Sequence, residues 1–404
     1  MLDNDIVDRR VGLAMVGVGG AVATTVAAGL ELLRLGLVNT DGLPLAEVEC
    51  DLAPYAAMVV GGWDLSADDL ATASEGHHVL GPTEIAAAAP ALSAILPWPA
   101  VGSRDFCRNI DGDHRILGAS PREAVDAIRC DLRRFREDYE LDSVVMVNLA
   151  STERPAEMMS GPLASMHAFE RALDTADEPI GPSALYAYAA LREGVPYANF
   201  TPSVAVDCPA LRELAEQLCV PVAGKDGKTG QTLIKTVIAP GLRSRALRVD
   251  GWFSTNILGN RDGLALEDAE SCRSKLDTKG SVLDDILGYH VADHVVRIEY
   301  YRPRGDDKEA WDTIDLVGFL GRRMQLKVNF LCRDSILAAP LVIEIARLLD
   351  YADRRGEGGA QEQFGAFFKA PMTADGLAPE HALHRQEETL AAWLGAERPA
   401  STQR

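Results

Sequence analysis

The chain has 404 residues, 47% of them hydrophobic, with 60 Asp plus Glu against 40 Lys plus Arg, a formal net charge of −20 and a pI near 4.8. That length and apolar content suffice for about two domains with sizeable cores. The acidic balance argues against nucleic acid and anionic membranes as partners, because a phosphate polymer is repelled, and an anionic small molecule needs a local basic pocket.

The first ten residues, MLDNDIVDRR, are charged and precede the first apolar run, so no signal peptide is expected. The uncharged run from Gly12 to Leu30 is about long enough to span a bilayer. Its glycines, Gly17, Gly19 and Gly20, cluster between an apolar segment and a helical one, which predicts a strand over Val11–Val18, a tight turn, and a helix over Ala21–Arg34. Such a unit can seat a pyrophosphate on the helix N-terminus. Val22 occupies the third glycine position of GxGxxG, so ordinary strand-turn-helix packing stays open beside dinucleotide binding. Ala57–Val60 reads as the next strand, with Asp64 of GGWD at its carboxyl end, where an acid can meet a ribose and disfavour a 2′-phosphate; a turn aspartate capping a helix near Ser66 is the alternative. The Ala-rich stretch 86–94 reads as helix or loop. Ser143–Leu149 is a buried-strand pattern followed by the loop Ala150-Ser151-Thr152-Glu153-Arg154, then a helix over Ala184–Arg192 and a short strand over Val195–Asn199. Repeated βα units predict a parallel, doubly wound sheet.

Beyond Gly224 the character changes. GKDGKTGQT places two residues, not four, between Gly224 and Gly227-Lys228-Thr229, so it is not a Walker A loop. It does open a predicted helix over Gln231–Ala239 with Leu233, Ile234, Val237 and Ile238 as its buried stripe, so that Thr229, Gly230 and Gln231 can donate to a phosphate; a plain N-capping turn is the other reading. Lys275 and Lys279, four apart, share a face if RSKLDTKGS is helical, where their repulsion reverses sign around an anion. Asp262, Asp306 and Asp334 lie in turn-like GNRDG, GDDK and CRDS and read equally as turn or cap residues. The segments 295–301 and 325–330 have strand patterns, and Cys332–Ala352 reads as a long helix. His290 and His294 are spaced i,i+4 but lack an acidic third ligand in HExxH form, so the metal content is left undetermined. The seven cysteines, Cys50, Cys107, Cys130, Cys208, Cys219, Cys272 and Cys332, are scattered and lack a CxxC pair, which reads as reduced thiols of a cytoplasmic protein.

The motifs GGWDLS, LASTERP, GVPYANFTPS, AGKDGKTGQTLIKT, STNILGNRDG, RSKLDTKGSVLDDIL, CRDSILAAP and FFKAPM occur in this order. Together they resemble the myo-inositol-1-phosphate synthase family, also called inositol-3-phosphate synthase, over most of the chain. The departures are local: GGAVA stands where the family has GGNNG, with Thr24 and Thr25 as substitutes for the missing amides, and GNRD stands for GNND.

The resemblance implies an α/β enzyme with a discontinuous Rossmann-like domain (1–231 and 335–404) and an inserted α+β sheet domain (232–334) for catalysis and oligomerisation, usually in a homotetramer. It further implies NAD-dependent cyclisation of D-glucose 6-phosphate to 1D-myo-inositol 3-phosphate by oxidation at C5, enolisation, aldol closure and re-reduction. Carried over residue by residue, Lys275 is the proton shuttle at the C5 oxygen, Lys308 assists at the C5 and phosphate end, and Lys369 stabilises the C1 oxygen. Lys279 holds the phosphate with Thr229, Gly230, Gln231, Leu258, Asn260 and Lys308. Asp226, Asn256, Asp262 and Asp334 orient these groups. Gly17, Gly19, Gly20, Asp64, Ala150, Ser151, Asp226 and Asp306 contact the cofactor, and a monovalent or divalent cation beside its phosphates stays open. Three other readings remain at this point: a cyclase for another hexose phosphate such as fructose 6-phosphate, a sugar-phosphate dehydrogenase, and a non-catalytic NAD-binding protein.

Overall fold

Val11–Val16 (β1) is buried at every position, as befits a central strand covered on both faces. In the computed structural model, which describes residues 9–116, 120–260, 263–264, 282–373 and 377–395, β1 pairs in parallel with Met58–Asp64 (β2) on one side and Ser143–Asn148 (β4) on the other. Short strands Trp98–Pro99 (β3), Tyr197–Asn199 (β5), Pro221–Gly224 (β6) and Gly359–Ala360 (β11) complete a seven-stranded sheet of order β11-β6-β5-β4-β1-β2-β3. Apart from the added β11 edge, this is the 3-2-1-4-5-6 order of dinucleotide-binding folds, whose strand order reverses between β1 and β4.

Helices cover both faces. Ala21–Arg34 (α1) packs against Asp334–Arg354 (α9) on one side, and Pro121–Asp138 (α4) against Pro182–Arg192 (α6) on the other. The α4 helix begins with a reciprocal capping box, Ser120 with Glu123, which satisfies two N–H groups the helix would otherwise leave open. Trp63, Phe135, Phe169, Tyr186 and Tyr197 lie at the centre of the α4–α6 face, almost wholly excluded from water; side chains of this size stabilise by roughly 1.5–3 kcal/mol each on full burial.

The Ala-rich stretch is helix, Pro82–Leu92 (α3). Residues 12–30 fall into β1, a turn and the 14-residue α1, and no helix among the described residues is long and apolar enough to cross a membrane. Between β6 and α9 the chain builds a second, four-stranded sheet of order β10-β9-β7-β8, from Arg248–Leu258 (β7), Asp293–Tyr300 (β8), Asp307–Val317 (β9) and Arg323–Arg333 (β10). Here β7 and β8 are parallel and the other pairs antiparallel. The predicted long helix starts only at Asp334, because Cys332 and Arg333 still pair with Lys308 and Asp307 in β10. Along β9 burial alternates strictly: even-numbered residues from Lys308 to Leu316 are buried and odd-numbered ones are not. The buried face meets Gln231–Ser244 (α8) over a small core containing Ala239, Leu242, Trp252, Ile314 and Leu316.

Candidate functional site

At the carboxyl end of β1 the chain turns through Gly17, whose φ of +84° only glycine adopts without strain. Gly17 and Val18 donate their N–H groups to Trp63 O at 2.8 and 3.0 Å, tying the turn to β2. Gly19 N–H donates to Asp64 Oδ2 at 2.9 Å, and Ser66 N–H to Asp64 Oδ1 at 3.0 Å. Asp64 therefore organises the glycine turn from the neighbouring strand; the helix beyond it starts at Leu70 and is capped by Asp69, not Asp64. A Cβ on Gly19 would lie 3.1 Å from the Asp64 carboxylate, and one on Gly17 3.3 Å from Ala150 Cα, so both glycines keep the loop tight at the point where the strand order reverses. Gly20 precedes α1 with no side-chain cap and no acid in the first turn. Free N–H groups and the helix dipole make that end suitable for a pyrophosphate.

Thr24 and Thr25 do not replace the two missing amides. Their hydroxyls donate back to the α1 carbonyls, Thr24 to Gly20 O and Ala21 O and Thr25 to Ala21 O at 2.7 Å, and both side chains are buried. On the opposite lip Ala150 N–H donates to Asn148 Oδ1, with Ser151 next in the loop. Glu153 beneath is buried, accepts from Ser183 N–H and Oγ at 2.8 and 2.6 Å, and is pushed up to about 7 by burial.

A second set of groups gathers on the loop after β6. Residues 225–228 run antiparallel to 367–370: Lys225 N–H donates to Ala370 O, Ala370 N–H to Lys225 O, Lys369 N–H to Asp226 O and Lys228 N–H to Phe367 O. That ladder sends the lysines in different directions. Lys225 Nζ donates to Asp207 at 2.7 Å, Lys228 Nζ to Gln386 Oε1 at 2.6 Å, and Lys369 Nζ to Asp226 Oδ1 at 2.6 Å. Gly227 is obligatory here, since a Cβ would sit 2.1 Å from the Phe200 ring.

The loop ends at Gly230, the residue before α8. Thr229 Oγ1 and Lys308 Nζ both donate to Asp334 Oδ1, at 3.0 and 3.2 Å, and Lys308 Nζ lies 3.9 Å from where a Gly230 Cβ would be. Thr229, Gly230, Gln231, Lys308 and Asp334 are thus brought together at one helix N-terminus, with a cation beside open N–H groups. Leu258 is buried at the end of β7, and Asn260 Oδ1 accepts from Gly263 N–H. Asp306 behaves as a cap for α9: it accepts from Ser335 N–H at 3.1 Å and Ser335 Oγ at 2.6 Å, and burial raises its carboxyl above the usual range. Lys275, Lys279, Asp262 and Cys272 lie outside the described residues.

The sequence expectation for α8 fails in a useful way. The predicted apolar stripe of Leu233, Ile234, Val237 and Ile238 is not the buried face; Val237 is 55% exposed and the others are half-buried. The buried positions are Gln231, Thr232, Lys235, Thr236, Ala239 and Leu242. The first turns of α8 face the polar inner surface of the second sheet, which carries Asn256, Asp312 and Ser254, so hydrogen bonding outweighs apolarity in setting the rotation of this helix. The sequence reading also passed over Asp312 and Lys235, although the period of 2 along β9 puts Asp312 on the same face as Lys308. His290 and His294 separate: His290 Nδ1 pairs with Asp284 at 2.6 Å and His294 Nε2 with Lys235 Nζ at 2.7 Å. Among the described residues no three His, Cys, Asp or Glu side chains form a potential metal ligand set.

Among the described residues, one anion-ready helix N-terminus thus lies at the switch point of the parallel sheet and another beside Lys308, with Asp226 on the loop that leads into the second and Lys369 on the segment paired with that loop. Residues 43–395 match the sequence family described as Myo-inositol-1-phosphate synthase, an NAD-binding family. The chain is 40% identical to Inositol-3-phosphate synthase 1 of Bacteroides thetaiotaomicron, over 96% of this chain and 97% of that protein. It is 30% identical to Inositol-3-phosphate synthase of Saccharomyces cerevisiae, over 96% and 85% respectively. Its fold is similar to the crystal structure of inositol-3-phosphate synthase from Caenorhabditis elegans, with a TM-score of 0.89 at 27% identity, covering 96% of this chain and 85% of that one. It also resembles a myo-inositol-1-phosphate synthase-related protein from Thermotoga maritima, with a TM-score of 0.79 at 27% identity over 96% and 99%.

Proposed function

The chain belongs to the myo-inositol-1-phosphate synthase family, and from that premise we propose that it is an NAD-using isomerase that closes D-glucose 6-phosphate into 1D-myo-inositol 3-phosphate. The observation that carries this reading is the convergence of Thr229, Gly230, Gln231 and Lys308 at the α8 N-terminus, one loop away from the buried Lys369–Asp226 pair. A simple dehydrogenase needs no second cation at a distance from the phosphate; a ring-closing enzyme does, because an oxyanion develops at C1 as well as at C5.

NAD fits the cleft at Gly17, Gly19 and Gly20, with Asp64, Ala150 and Ser151 around it, and supplies a hydride acceptor and donor at sugar C5. The chain's own groups do the rest. The phosphate is held by Thr229, Gly230 and Gln231 with Lys308, which Asp334 orients; Leu258, Asn260 and Lys279 complete this part of the site. Lys275 takes the C5 hydroxyl proton and returns it, and Lys308 assists at the C5 and phosphate end. Lys369, held by Asp226, stabilises the negative charge on the C1 oxygen when the C6 enolate attacks, and Asn256 and Asp262 orient the reacting groups. Oxidation and reduction cancel within the cycle, so the product is an isomer of the substrate.

The domain boundaries that go with this reading are 1–231 with 335–404 for the cofactor domain and 232–334 for the inserted sheet. The face of that sheet opposite α8 carries Val295, Trp311 and Leu331 at 39%, 37% and 59% exposure beside Phe253, a surface suited to subunit pairing in a homotetramer. The cytoplasm is the matching location. Product analysis by NMR after separate incubations with glucose 6-phosphate and fructose 6-phosphate tests the function. Inositol phosphate from glucose 6-phosphate, with NAD needed only in catalytic amount, is expected. Stoichiometric NADH release identifies a dehydrogenase instead, and a different cyclitol from fructose 6-phosphate alone overturns the substrate.

A further inference from the structure

The inner face of the second sheet carries a chain of polar side chains that ties Gln231 and Asn256, both placed in the reaction above, to Asp312, which has no part in it so far. Asp312, 2% exposed on β9, accepts through Oδ1 from Trp252 Nε1 at 2.7 Å, from Ser254 Oγ, and from Gln231 Nε2 at 3.2 Å. Gln231 Oε1 accepts in turn from Asn256 Nδ2 at 2.8 Å, and the same Nδ2 reaches Arg297 O at 3.4 Å. Asn256 Oδ1, by contrast, is buried and has no hydrogen-bond partner among the described residues, in a side chain that is 1% exposed as a whole.

Chemistry fixes the direction of this chain. An indole N–H only donates, so Asp312 Oδ1 is an acceptor, and the end of Gln231 that faces it must be the NH2. The Gln231 oxygen is then committed to Asn256, whose NH2 must face it. Turning either amide around sets oxygen against oxygen. The arrangement therefore leaves one group over, the Asn256 carbonyl oxygen, as a buried acceptor awaiting a donor. Lys235, 1% exposed, lies near Asp312 with its ammonium 5.8 Å from the Trp252 ring centroid and 2.7 Å from His294 Nε2. Its charge counters that of Asp312, which in return favours the protonated lysine against the pull of burial.

We propose that Asp312 is a positioning residue for the reaction: through Gln231 it locks the Asn256 amide so that Oδ1 accepts a hydrogen bond from a hydroxyl of the bound sugar phosphate. The inference rests on the functional reading above. A sugar hydroxyl is the donor rather than the nicotinamide carboxamide because Asn256 sits on the sheet beside Lys308. In register it pairs with Ala310, between Lys308 and Asp312 on the same face of β9. Gln231 also opens the helix that receives the phosphate.

The test is a double-mutant cycle on the NAD-loaded enzyme with Asp312→Ala, Asn256→Ala and both together, reading KM for glucose 6-phosphate, kcat, the NAD dissociation constant and the melting temperature. Each single change is expected to raise KM for glucose 6-phosphate about tenfold, the worth of one hydrogen bond to a well-placed partner. The double variant should be no worse in KM than Asn256→Ala alone, with NAD binding unchanged and every variant melting above the assay temperature. Multiplying KM effects would mean that Asp312 acts only through folding and would overturn the proposal. A weakened NAD affinity with unchanged KM for the sugar would assign the donor to nicotinamide and also overturn it. If Asp312→Ala does not fold, Gln231→Met, which keeps the backbone N–H that faces the phosphate and removes only the side-chain amide held between Asp312 and Asn256, enters the same cycle with the same expected coupling. A wild-type enzyme that neither binds nor converts glucose 6-phosphate refutes the functional reading itself, an outcome separate from additivity in an active enzyme.

Discussion

Lys369 Nζ donates to Asp226 Oδ1 across 2.6 Å, although 143 residues separate them in the chain and both side chains are buried. The contact is made possible by the backbone ladder between 225–228 and 367–370, which presents the ammonium from one strand to the carboxylate of the other. Its two consequences are separable. Lys369→Ala leaves a buried carboxylate without its ammonium, and such half-deleted pairs lose about 3–5 kcal/mol of stability. Adding Asp226→Asn is expected to restore most of the midpoint in a denaturant titration but none of the activity.

Catalytically, Lys369→Ala should lower turnover about 100-fold to 1000-fold, the usual loss for one oxyanion stabiliser. Because Lys369 is assigned to the C1 oxygen, hydride transfer should survive while ring closure fails. In a single-turnover experiment the variant should show enzyme-bound NADH absorbance without inositol phosphate, whereas Lys275→Ala should block the absorbance change itself. Identical behaviour of the two variants would refute this division of roles.

Asp64 makes the cofactor prediction specific. With both oxygens already anchoring Gly19 and Ser66 N–H groups, the carboxylate cannot swing away from an incoming 2′-phosphate, so repulsion between the anions is unavoidable. NADP should support turnover at least about tenfold less well than NAD, corresponding to roughly 1.4 kcal/mol of discrimination. Asp64→Ser should narrow that gap and weaken NAD at the same time, because the glycine turn loses its anchor. Equal use of the two nucleotides by the wild type would show that Asp64 does not meet the ribose.

The cofactor half was legible because its signals are local. An apolar strand, a glycine turn and a helix follow one another within Val11–Arg34, and the structure keeps all three. Asp64 was singled out from its place at the end of a strand, and there it anchors the glycine turn. The helix α8 was placed but turned the wrong way, since apolar periodicity assumes a core on the far side and here the far side is the Asp312 network. Asp312 and Lys235 are invisible as motifs: each acquires its role only when β7, β9 and α8 stack, and no spacing within one segment encodes that. Asp306, singled out as a cofactor contact, also accepts from Ser335 N–H and Oγ at the start of α9, a structural tie that its turn-like GDDK setting did not reveal. Asp262, Lys275 and Lys279, read from the resemblance, lie outside the described residues and rest on sequence alone.

Lys228 gives a prediction in pH rather than in rate. It comes from the same loop as Asp226, is 3% exposed, and donates to Gln386 Oε1 on the C-terminal helix Leu383–Leu394 (α10). Burial pulls its ammonium down from 10.5 to about 7, against a weaker opposing pull from Glu387. Between those two values the unfolded chain holds a proton that the folded chain has given up. The group's contribution to stability therefore rises with pH from about 7 to 10.5 and is flat below that window, with a steepest slope of about 1.4 kcal/mol per pH unit. His381 nearby is also pulled down, by burial first and by Lys228, against the opposing pull of Asp285 and Glu380, but from 6.5. Its effect is a loss of stability as pH falls below 6.5, so the two windows do not overlap. Subtracting the denaturation free energy of Lys228→Met from that of the wild type should give a difference that climbs between pH 7 and 10 and stays level between pH 6 and 7, within the window set by Lys228. A difference that is flat throughout would mean that Lys228 keeps its proton in the fold, held there by Gln386 and Glu387 more strongly than burial opposes it.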